Sequence, residues 1–199
     1  MERDAFRPEE GMISAVAGAV LPRSFYRREA VAVARELLGK IIVRDDTAGI
    51  IVETKAYPGG DDLASHSAAG ITKRTSVIFG PPGHAYVYLC YGMHACMNIV
   101  AEPKGTAGCV LIRALEPVAG LETMRARRRT DRDLASGPGK LTAALGITLT
   151  DYGADLTRGE LVVRQPVRPE PFGIEVTPRI GISKCADLPL RFVLKPERL

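Results

Sequence analysis

The residues with the clearest chemical potential are residues 53–57, which read Glu-Thr-Lys-Ala-Tyr at the end of an apolar run. Side chains of a strand alternate between its two faces, so Glu53, Lys55 and Tyr57 share one face at intervals of about 7 Å. A carboxylate, an amine and a phenol on one face could bind a ligand and exchange protons with it. The alternative is a solvated strand face on which Glu53 and Lys55 form an ion pair.

Residues 85–100, AYVYLCYGMHACMNIV, predict a β-hairpin with strands at 85–89 and 95–100. Its turn carries Tyr91 and Met93, and apolar side chains at a hairpin tip have little core to enter. In DNA-binding proteins such side chains insert between base pairs and kink or open the duplex. The hairpin therefore suggests a partner, and DNA is the partner that it fits.

Polar residues inside apolar runs are further candidates. Asn98 lies within Cys-Met-Asn-Ile-Val, and a buried amide needs hydrogen-bond partners or a ligand. Arg113 lies in an apolar strand, where an unpaired charge is rarely buried, so it should meet a carboxylate, a phosphate or a cleft. His66 on its own is more often structural than catalytic. At least one of Tyr86 and Tyr88 is expected to be an ordinary sheet aromatic.

Residues 136–141, Ser-Gly-Pro-Gly-Lys-Leu, lack the spacing of a nucleotide-binding P-loop. The helix that begins there could still hold one backbone phosphate beside Lys140, and an ordinary helix start explains the pattern equally well. The arginines of residues 125–132 would form a solvated face or, on a basic DNA-binding protein, contact the phosphates.

The elements that position these residues can be read from periodicity and turn signals. A helix should follow Ser24 and end at Gly39, and the long polar segment 58–83 is a candidate site element. The other predicted helices are 121–129 and 138–145, and the predicted strands outside the hairpin are 40–44, 49–55, 108–115, 161–163, 179–183 and 190–194. Strands joined by hairpins, with helices between them, favour an α+β domain with a mixed, largely antiparallel, curved sheet.

Length and composition favour one domain. The chain has 199 residues and a formal net charge of +4, which permits nucleic-acid binding without proving it. We expect residues 1–20 to be a loosely held N-terminal arm and residues 21–199 to be the functional domain. The four cysteines lack C-x-x-C spacing and are expected to be reduced, without a metal site. No apolar stretch is long enough to span a membrane, and no signal peptide is expected.

The order of the motifs VETKAY, Ser65-His66, AYVYLCYGMHACMNIV, GCVLIRALEP, GLETMR and SGPGKL resembles that of the alkyladenine (3-methyladenine) DNA glycosylases. The likeness covers about residues 22–192. It implies a single α+β domain with a protruding hairpin that flips a damaged purine into a pocket and hydrolyses its bond to deoxyribose. The implied substrates are 3-methyladenine, 7-methylguanine, hypoxanthine and ethenoadenine in double-stranded DNA. The resemblance also implies no metal or organic cofactor, a monomer, and a cytoplasmic protein that is nucleoid-associated in bacteria or nuclear in eukaryotes.

The resemblance assigns roles on the DNA and on the faces of the base. Tyr91 would fill the space of the flipped nucleotide, with Met93 supporting it. Tyr57 and Tyr88 would sandwich the base, an arrangement that suits electron-poor alkylated purines. Further expected DNA contacts are Arg74 and Lys140.

Other assigned roles concern the edge of the base and the sugar. The backbone around Ala64 and His66 would contact the base edge, and the His66 side chain would contact the neighbouring sugar-phosphate. Asn98 would crowd the amino group of a normal guanine. Arg113 would lie beside the attacking water and the phosphate of the lesion.

Lys55 departs from the family pattern, which is close to E-x-E-A-Y and has a general-base carboxylate at this position. Glycosidic cleavage passes through a cationic sugar, and an ammonium about 4 Å away would oppose it by about 4 kcal/mol at a dielectric constant of about 20. That is roughly a thousandfold in rate. Glu53, a second candidate catalytic residue, would most easily pair with Lys55. Three explanations stay open: a rewired active enzyme, a protein that binds lesions without excising them, and a Glu-to-Lys change particular to this polypeptide.

Overall fold

The computed structural model describes residues 8–196, which form five α-helices and nine β-strands. The helices are α1 (Pro8–Val16), α2 (Arg23–Tyr26), α3 (Ala30–Glu36), α4 (Leu121–Arg128) and α5 (Pro138–Leu145). The strands are β1 (Ala17–Val20), β2 (Ile41–Arg44), β3 (Thr47–Tyr57), β4 (Ala85–Cys90), β5 (His94–Val100), β6 (Cys109–Ala119), β7 (Leu161–Pro166), β8 (Phe172–Thr177) and β9 (Arg191–Pro196). Short 3₁₀ turns lie at His66–Ala69, Ser76–Phe79 and Leu149–Asp151.

All the strands belong to one open sheet, with the order β1-β7-β2-β3-β6-β5-β4. Every pairing among the described strands is antiparallel, so the predicted α+β class is confirmed. The eleven-residue strand β3 pairs with β6 along its length. On its other side β3 pairs first with β2 and then, at residues 53–55, with β9, which also pairs with β8. The end of β3 that carries Lys55 and Tyr57 is therefore held from both sides.

Helices α3 and α5 cover one face of this sheet, and α1 packs with a second apolar cluster on the opposite face. Helix α3 buries Ala30, Val33 and Ala34 in the main core, and the Thr54 hydroxyl donates to the Ala34 carbonyl at 2.8 Å. Helix α5 begins with a proline in its first turn, where no amide hydrogen is needed, and it ends at Gly146 with φ +71°. These local signals explain why the α5 boundaries could be predicted from the sequence.

The strand predicted at 179–183 is wrong, because this segment is irregular. Arg179 turns into the protein to pair with Asp62, and Gly181 has φ +73°, which takes the backbone out of the extended region. Strands β1 and β8 were not predicted, although residues 172–177 do alternate apolar and other residues.

The segment predicted as an N-terminal arm contains α1 and β1, and β1 pairs with β7. Residues 1–7 of that segment lie outside the described residues. No helix in the described part of the chain is long and apolar enough to cross a membrane. All four cysteines are free thiols, as the sequence predicts.

Candidate active site

A cavity of about 620 Å³ opens on the side of the sheet where β3, β4, β5 and β6 meet the segment 58–83 and the loop 178–182. Nearly all the candidate residues come together here, although they are far apart in the sequence. The lining residues are Lys55, Tyr57, Ala64, His66, Arg74, Tyr86, Tyr88, Leu89, Cys90, Tyr91, Cys96, Asn98, Cys109, Leu111, Arg113, Pro138, Ile180, Gly181 and Ile182. The cavity is large enough for a small organic ligand such as a purine.

One wall of the cavity is aromatic. The Tyr86 and Tyr88 rings stack with centroids 5.3 Å apart, and the His66 ring meets Tyr88 edge-to-face at 4.7 Å. His66 Nδ1 is 2.9 Å from the Tyr86 hydroxyl, which fixes the imidazole relative to that wall. Burial lowers the pKa of His66, and the charge of Arg74 adds to the shift, which favours the neutral imidazole. This wall offers uncharged π faces to a planar ligand.

Two cationic guanidinium groups lie against the faces of aromatic rings at the cavity. The Arg74 guanidinium carbon lies 4.9 Å from the Tyr88 ring centroid, and that of Arg179 lies 4.8 Å from the Tyr57 centroid. Such contacts are attractive because the face of an aromatic ring is electronegative. Burial raises the pKa of Tyr57 to about 12, so its phenol stays neutral. Both tyrosines expected to contact the base therefore line the cavity as neutral rings with a cation beside them.

Lys55 lies in the cavity wall and is only 4% exposed. Its ammonium donates to the carbonyl oxygen of Ile180 at 2.5 Å, and no carboxylate among the described residues pairs with it. Burial, together with the charge of Arg113, lowers its pKa to about 8, whereas the charge of Glu53 opposes this shift. A neutral amine is consequently much more accessible here than on an ordinary surface lysine.

The expected pairing of Glu53 with Lys55 is wrong. Glu53 Oε1 accepts from Arg191 Nε at 2.6 Å, and Glu53 is not among the residues that line the cavity. The cause is local, because β9 pairs with β3 at this point and places Arg191 opposite Lys55 in the ladder. The pairing of β3 with β6 also shifts register on both sides of Glu53. Simple alternation along an isolated strand does not include these effects.

Asn98 and Arg113 lie on neighbouring strands at the cavity. Asn98 is buried, and its Nδ2 donates to the Tyr86 carbonyl at 3.3 Å while its Oδ1 accepts from the Cys109 thiol at 3.8 Å. Arg113 Nη1 donates to the Ser136 carbonyl at 3.2 Å, just before α5. None of the salt bridges among the described residues includes Arg113, so its charge is directed at the cavity without an acidic partner.

The hairpin tip projects beside the cavity mouth. Tyr91 is 87% exposed and Met93 is 73% exposed, an unusual degree for large apolar residues. Tyr91 also has φ +51°, a left-handed conformation that is uncommon for a residue with a bulky side chain. The tip thus presents an aromatic ring to solvent on a constrained backbone, which is a feature to be explained by function.

Several of the groups expected to contact DNA are bonded within the chain. The Lys140 ammonium pairs with Asp133 and lies outside the cavity lining. The backbone N–H of Ala64, expected to contact a base edge, donates to Asp62 Oδ1 at 3.2 Å. Arg125 pairs with Glu122, and other arginines of the same run bond to the protein. These groups would have to exchange partners in order to bind DNA.

The charged side chains that line the cavity are basic. Lys55, Arg74 and Arg113 line it, and no aspartate or glutamate of the described chain does. An anion such as a DNA phosphate would satisfy these charges. Among residues 8–196 there is also no group of three or more His, Cys, Asp or Glu side chains placed to hold a metal ion.

Sequence reasoning missed the residues that support the cavity from behind. Arg179 is fully buried and makes a bidentate ion pair with Asp62. Its guanidinium also lies against the face of the Tyr57 ring. Ile180 supplies the carbonyl that accepts from Lys55. The local signal for this role is a cation beside apolar residues in the run Arg179-Ile180-Gly181-Ile182, of the kind that marks Arg113.

Comparison with known proteins gives concordant results. A family model described as methylpurine-DNA glycosylase matches residues 24–198. A relative from Methanoculleus marisnigri is 54% identical over 186 residues, which are 89% of this chain and 96% of the relative. Relatives from Koribacter versatilis and Rhodopseudomonas palustris are each 50% identical, over 88% and 96% of this chain and 90% and 92% of their own lengths. All three carry the name "Putative 3-methyladenine DNA glycosylase".

Proposed function

The chain belongs to the methylpurine-DNA glycosylase family and is thus a DNA-binding glycosylase of base-excision repair. We propose that its substrates are damaged purines. The protein flips them from duplex DNA into the 620 Å³ cavity and releases them by cleaving the N-glycosidic bond. The proposed substrates are 3-methyladenine, 7-methylguanine, hypoxanthine and ethenoadenine. The observation that carries the proposal is an aromatic cavity directly beside an exposed aromatic hairpin tip.

The geometry supports separate roles for the hairpin tip, which would enter the duplex, and for the cavity, which would bind the flipped purine. Tyr91 would enter the duplex and occupy the space that the flipped nucleotide leaves, because it has no core contact to lose. Tyr57 and Tyr88 would stack on the purine, and Asn98 would contact its edge. The proposed enzyme is a monomer that acts on chromosomal DNA.

The cations of the cavity suit the DNA backbone. Arg113 and Arg74 lie at the lining without acidic partners in the described part of the chain, so each could neutralise a phosphate next to the flipped nucleotide. The π faces would attract alkylated purines, which carry positive charge, as they already attract the guanidinium of Arg74.

A second candidate function is lesion binding with little or no excision. The observation that favours it is the lysine in the cavity wall where the family pattern has a general-base carboxylate. A protonated Lys55 cannot take a proton from water, and it opposes a cationic sugar. In this function the protein would mark a lesion for other repair enzymes.

Release of free base separates the two functions. The protein is incubated with duplexes that carry one hypoxanthine, ethenoadenine or 7-methylguanine, free base is measured by chromatography, and binding is measured by fluorescence anisotropy. We expect base release from at least one lesion, and tight lesion-specific binding without release would favour the second function. Tyr88→Leu should weaken lesion binding more than Tyr88→Phe, which keeps the ring. Val167→Ala, an exposed apolar site that follows β7 near the opposite edge of the sheet, serves as the control.

A further inference from the structure

We propose that Lys55 acts as an amine nucleophile, so that the protein releases a damaged purine through a covalent imine with C1′ of the deoxyribose rather than through activated water. This inference rests on the proposed function, since it concerns how the same cavity breaks the same bond. It adds a covalent intermediate and, from it, a strand-cleaving activity.

The first argument is the placement of Lys55. It lies in the cavity wall between Tyr57, two residues along the same strand, and Arg113 on the neighbouring strand. If Tyr57 stacks on the purine, the sugar attached to that purine lies at the edge of the stack. An amine in this wall is therefore close to the glycosidic bond without further movement of the backbone.

The second argument is the lack of an acidic partner among the described residues. Surface lysines are held protonated by water and carboxylates, but the carboxylate of Glu53, which shares the strand with Lys55, is bound by Arg191 at 2.6 Å. The only hydrogen bond of the amine among the described residues goes to the Ile180 carbonyl. A neutral amine has two N–H groups and one lone pair, so one N–H can keep this bond while the lone pair stays free.

The third argument is the charge around the amine. Arg113 on β6, Arg191 on β9 and Arg179 in the loop after β8 all disfavour the ammonium, and only Glu53 on its own strand favours it. Burial is the largest influence, and together these groups lower the pKa to about 8. About a tenth of the molecules then carry a neutral amine at pH 7, and about three quarters do at pH 8.5.

The step balances without an oxidant or a co-reactant. The Lys55 lone pair forms a bond to C1′, and the C1′–N bond breaks with its electron pair leaving on the purine. The amine proton passes to water or to the departing base, the sugar ring opens as O4′ takes a proton, and C1′=N remains. Loss of a C2′ proton and of the 3′ phosphate would then cut the strand, and water would finally hydrolyse the imine.

Borohydride trapping tests the proposal. The full-length protein is mixed with a duplex containing one hypoxanthine and with sodium borohydride, which reduces an imine to a stable amine. We expect a covalent protein–DNA adduct that maps to Lys55 by mass spectrometry, and a loss of at least about tenfold in Lys55→Arg, which keeps the charge but not the nucleophile. Lys195→Ala, which removes a surface amine on β9, should trap as the parent does. Trapping at saturating DNA should rise at least about eightfold from pH 7 to pH 8.5, following the neutral amine, because DNA phosphates hold the pKa of the bound amine at or above about 8.

The remaining outcomes distinguish this inference from the proposed function. Base release without trapping would refute the covalent step and leave glycosylase activity in place. Release that is lost in Lys55→Arg without any trapped adduct would assign Lys55 to proton transfer, which also refutes it. Lesion binding with neither release nor trapping would refute both. A trapped adduct that persists in Lys55→Arg would place the nucleophile elsewhere and overturn the assignment.

Discussion

Replacing Arg179 by methionine should lower the free energy of unfolding by about 3–5 kcal/mol, because it removes one partner of a buried ion pair. Arg179 Nη1 and Nη2 donate to Asp62 Oδ2 and Oδ1 at 2.6 and 2.8 Å, and the two side chains are 0% and 2% exposed. The substitution also removes hydrogen bonds of 3.1 Å to the carbonyls of Ala56 and Cys185. Asp62 would be left as an uncompensated charge in the interior, and this is the largest part of the cost.

Urea unfolding followed by circular dichroism measures this effect. At a slope of about 2–3 kcal/mol per molar urea, the midpoint should decrease by roughly 1–2.5 M with an unchanged slope. Arg179→Lys should also be destabilised, because an ammonium cannot reproduce the two parallel hydrogen bonds. The double variant Arg179→Met with Asp62→Asn should cost less than the sum of the two single variants by at least about 1 kcal/mol. A single-variant cost below about 1 kcal/mol, or strict additivity, would refute the reasoning.

The same variant should affect the site through Tyr57. The guanidinium lies 4.8 Å from the Tyr57 centroid, a contact of about 0.5–2 kcal/mol. In Arg179→Met the ring loses this support, so lesion binding should weaken by about two- to thirty-fold at temperatures where the variant is still folded. Unchanged affinity in the folded variant would show that Arg179 stabilises the fold without positioning Tyr57.

Three further results are expected. Tyr91→Ala should leave the free energy of unfolding within about 0.5 kcal/mol while clearly weakening lesion binding, and a large loss of stability with unchanged affinity would make Tyr91 a core residue. Lys55→Glu should raise water-dependent base release by up to about a thousandfold, corresponding to about 4 kcal/mol, and should abolish trapping. An unchanged release rate would count against repulsion between the Lys55 ammonium and the cationic sugar. The affinity for DNA should fall by about 0.9 log units per log unit of salt for each phosphate neutralised, and Arg74→Ala should reduce that slope by about one phosphate, whereas a flat dependence would make the basic charge incidental.

Much of the site could be predicted from the sequence because its signals are local. Apolar residues at a hairpin tip and a cation in an apolar strand are each anomalous within a few residues, as with Tyr91 and Arg113. That they would lie at one pocket was implied by the resemblance to a known family. Local signals were also sufficient for α5, whose proline and glycine lie at its ends.

What could not be predicted depends on pairings between distant residues. Glu53 and Arg191 are 138 positions apart, and Asp62 and Arg179 are 117 apart, so no local pattern joins them. The strand predicted at 179–183 failed for the same reason, since the ion pair of Arg179 outweighs the alternation of its neighbours. The partner of Lys55, a backbone carbonyl, carries no side-chain signal at all.

The cations of the cavity connect the affinity for DNA to the chemistry of Lys55. Phosphates brought near Lys55 favour its protonated form, and by linkage the protonated form binds DNA more tightly than the neutral one. Near pH 8, where the free amine is half protonated, DNA binding should therefore be accompanied by proton uptake. Affinity and nucleophilicity thus respond in opposite directions to pH: binding should weaken as the amine is deprotonated, while the covalent step should accelerate. A carboxylate at position 55 would have the reverse charge and no such conflict with the cationic sugar, so the lysine makes this cavity better suited to holding phosphates than to activating water.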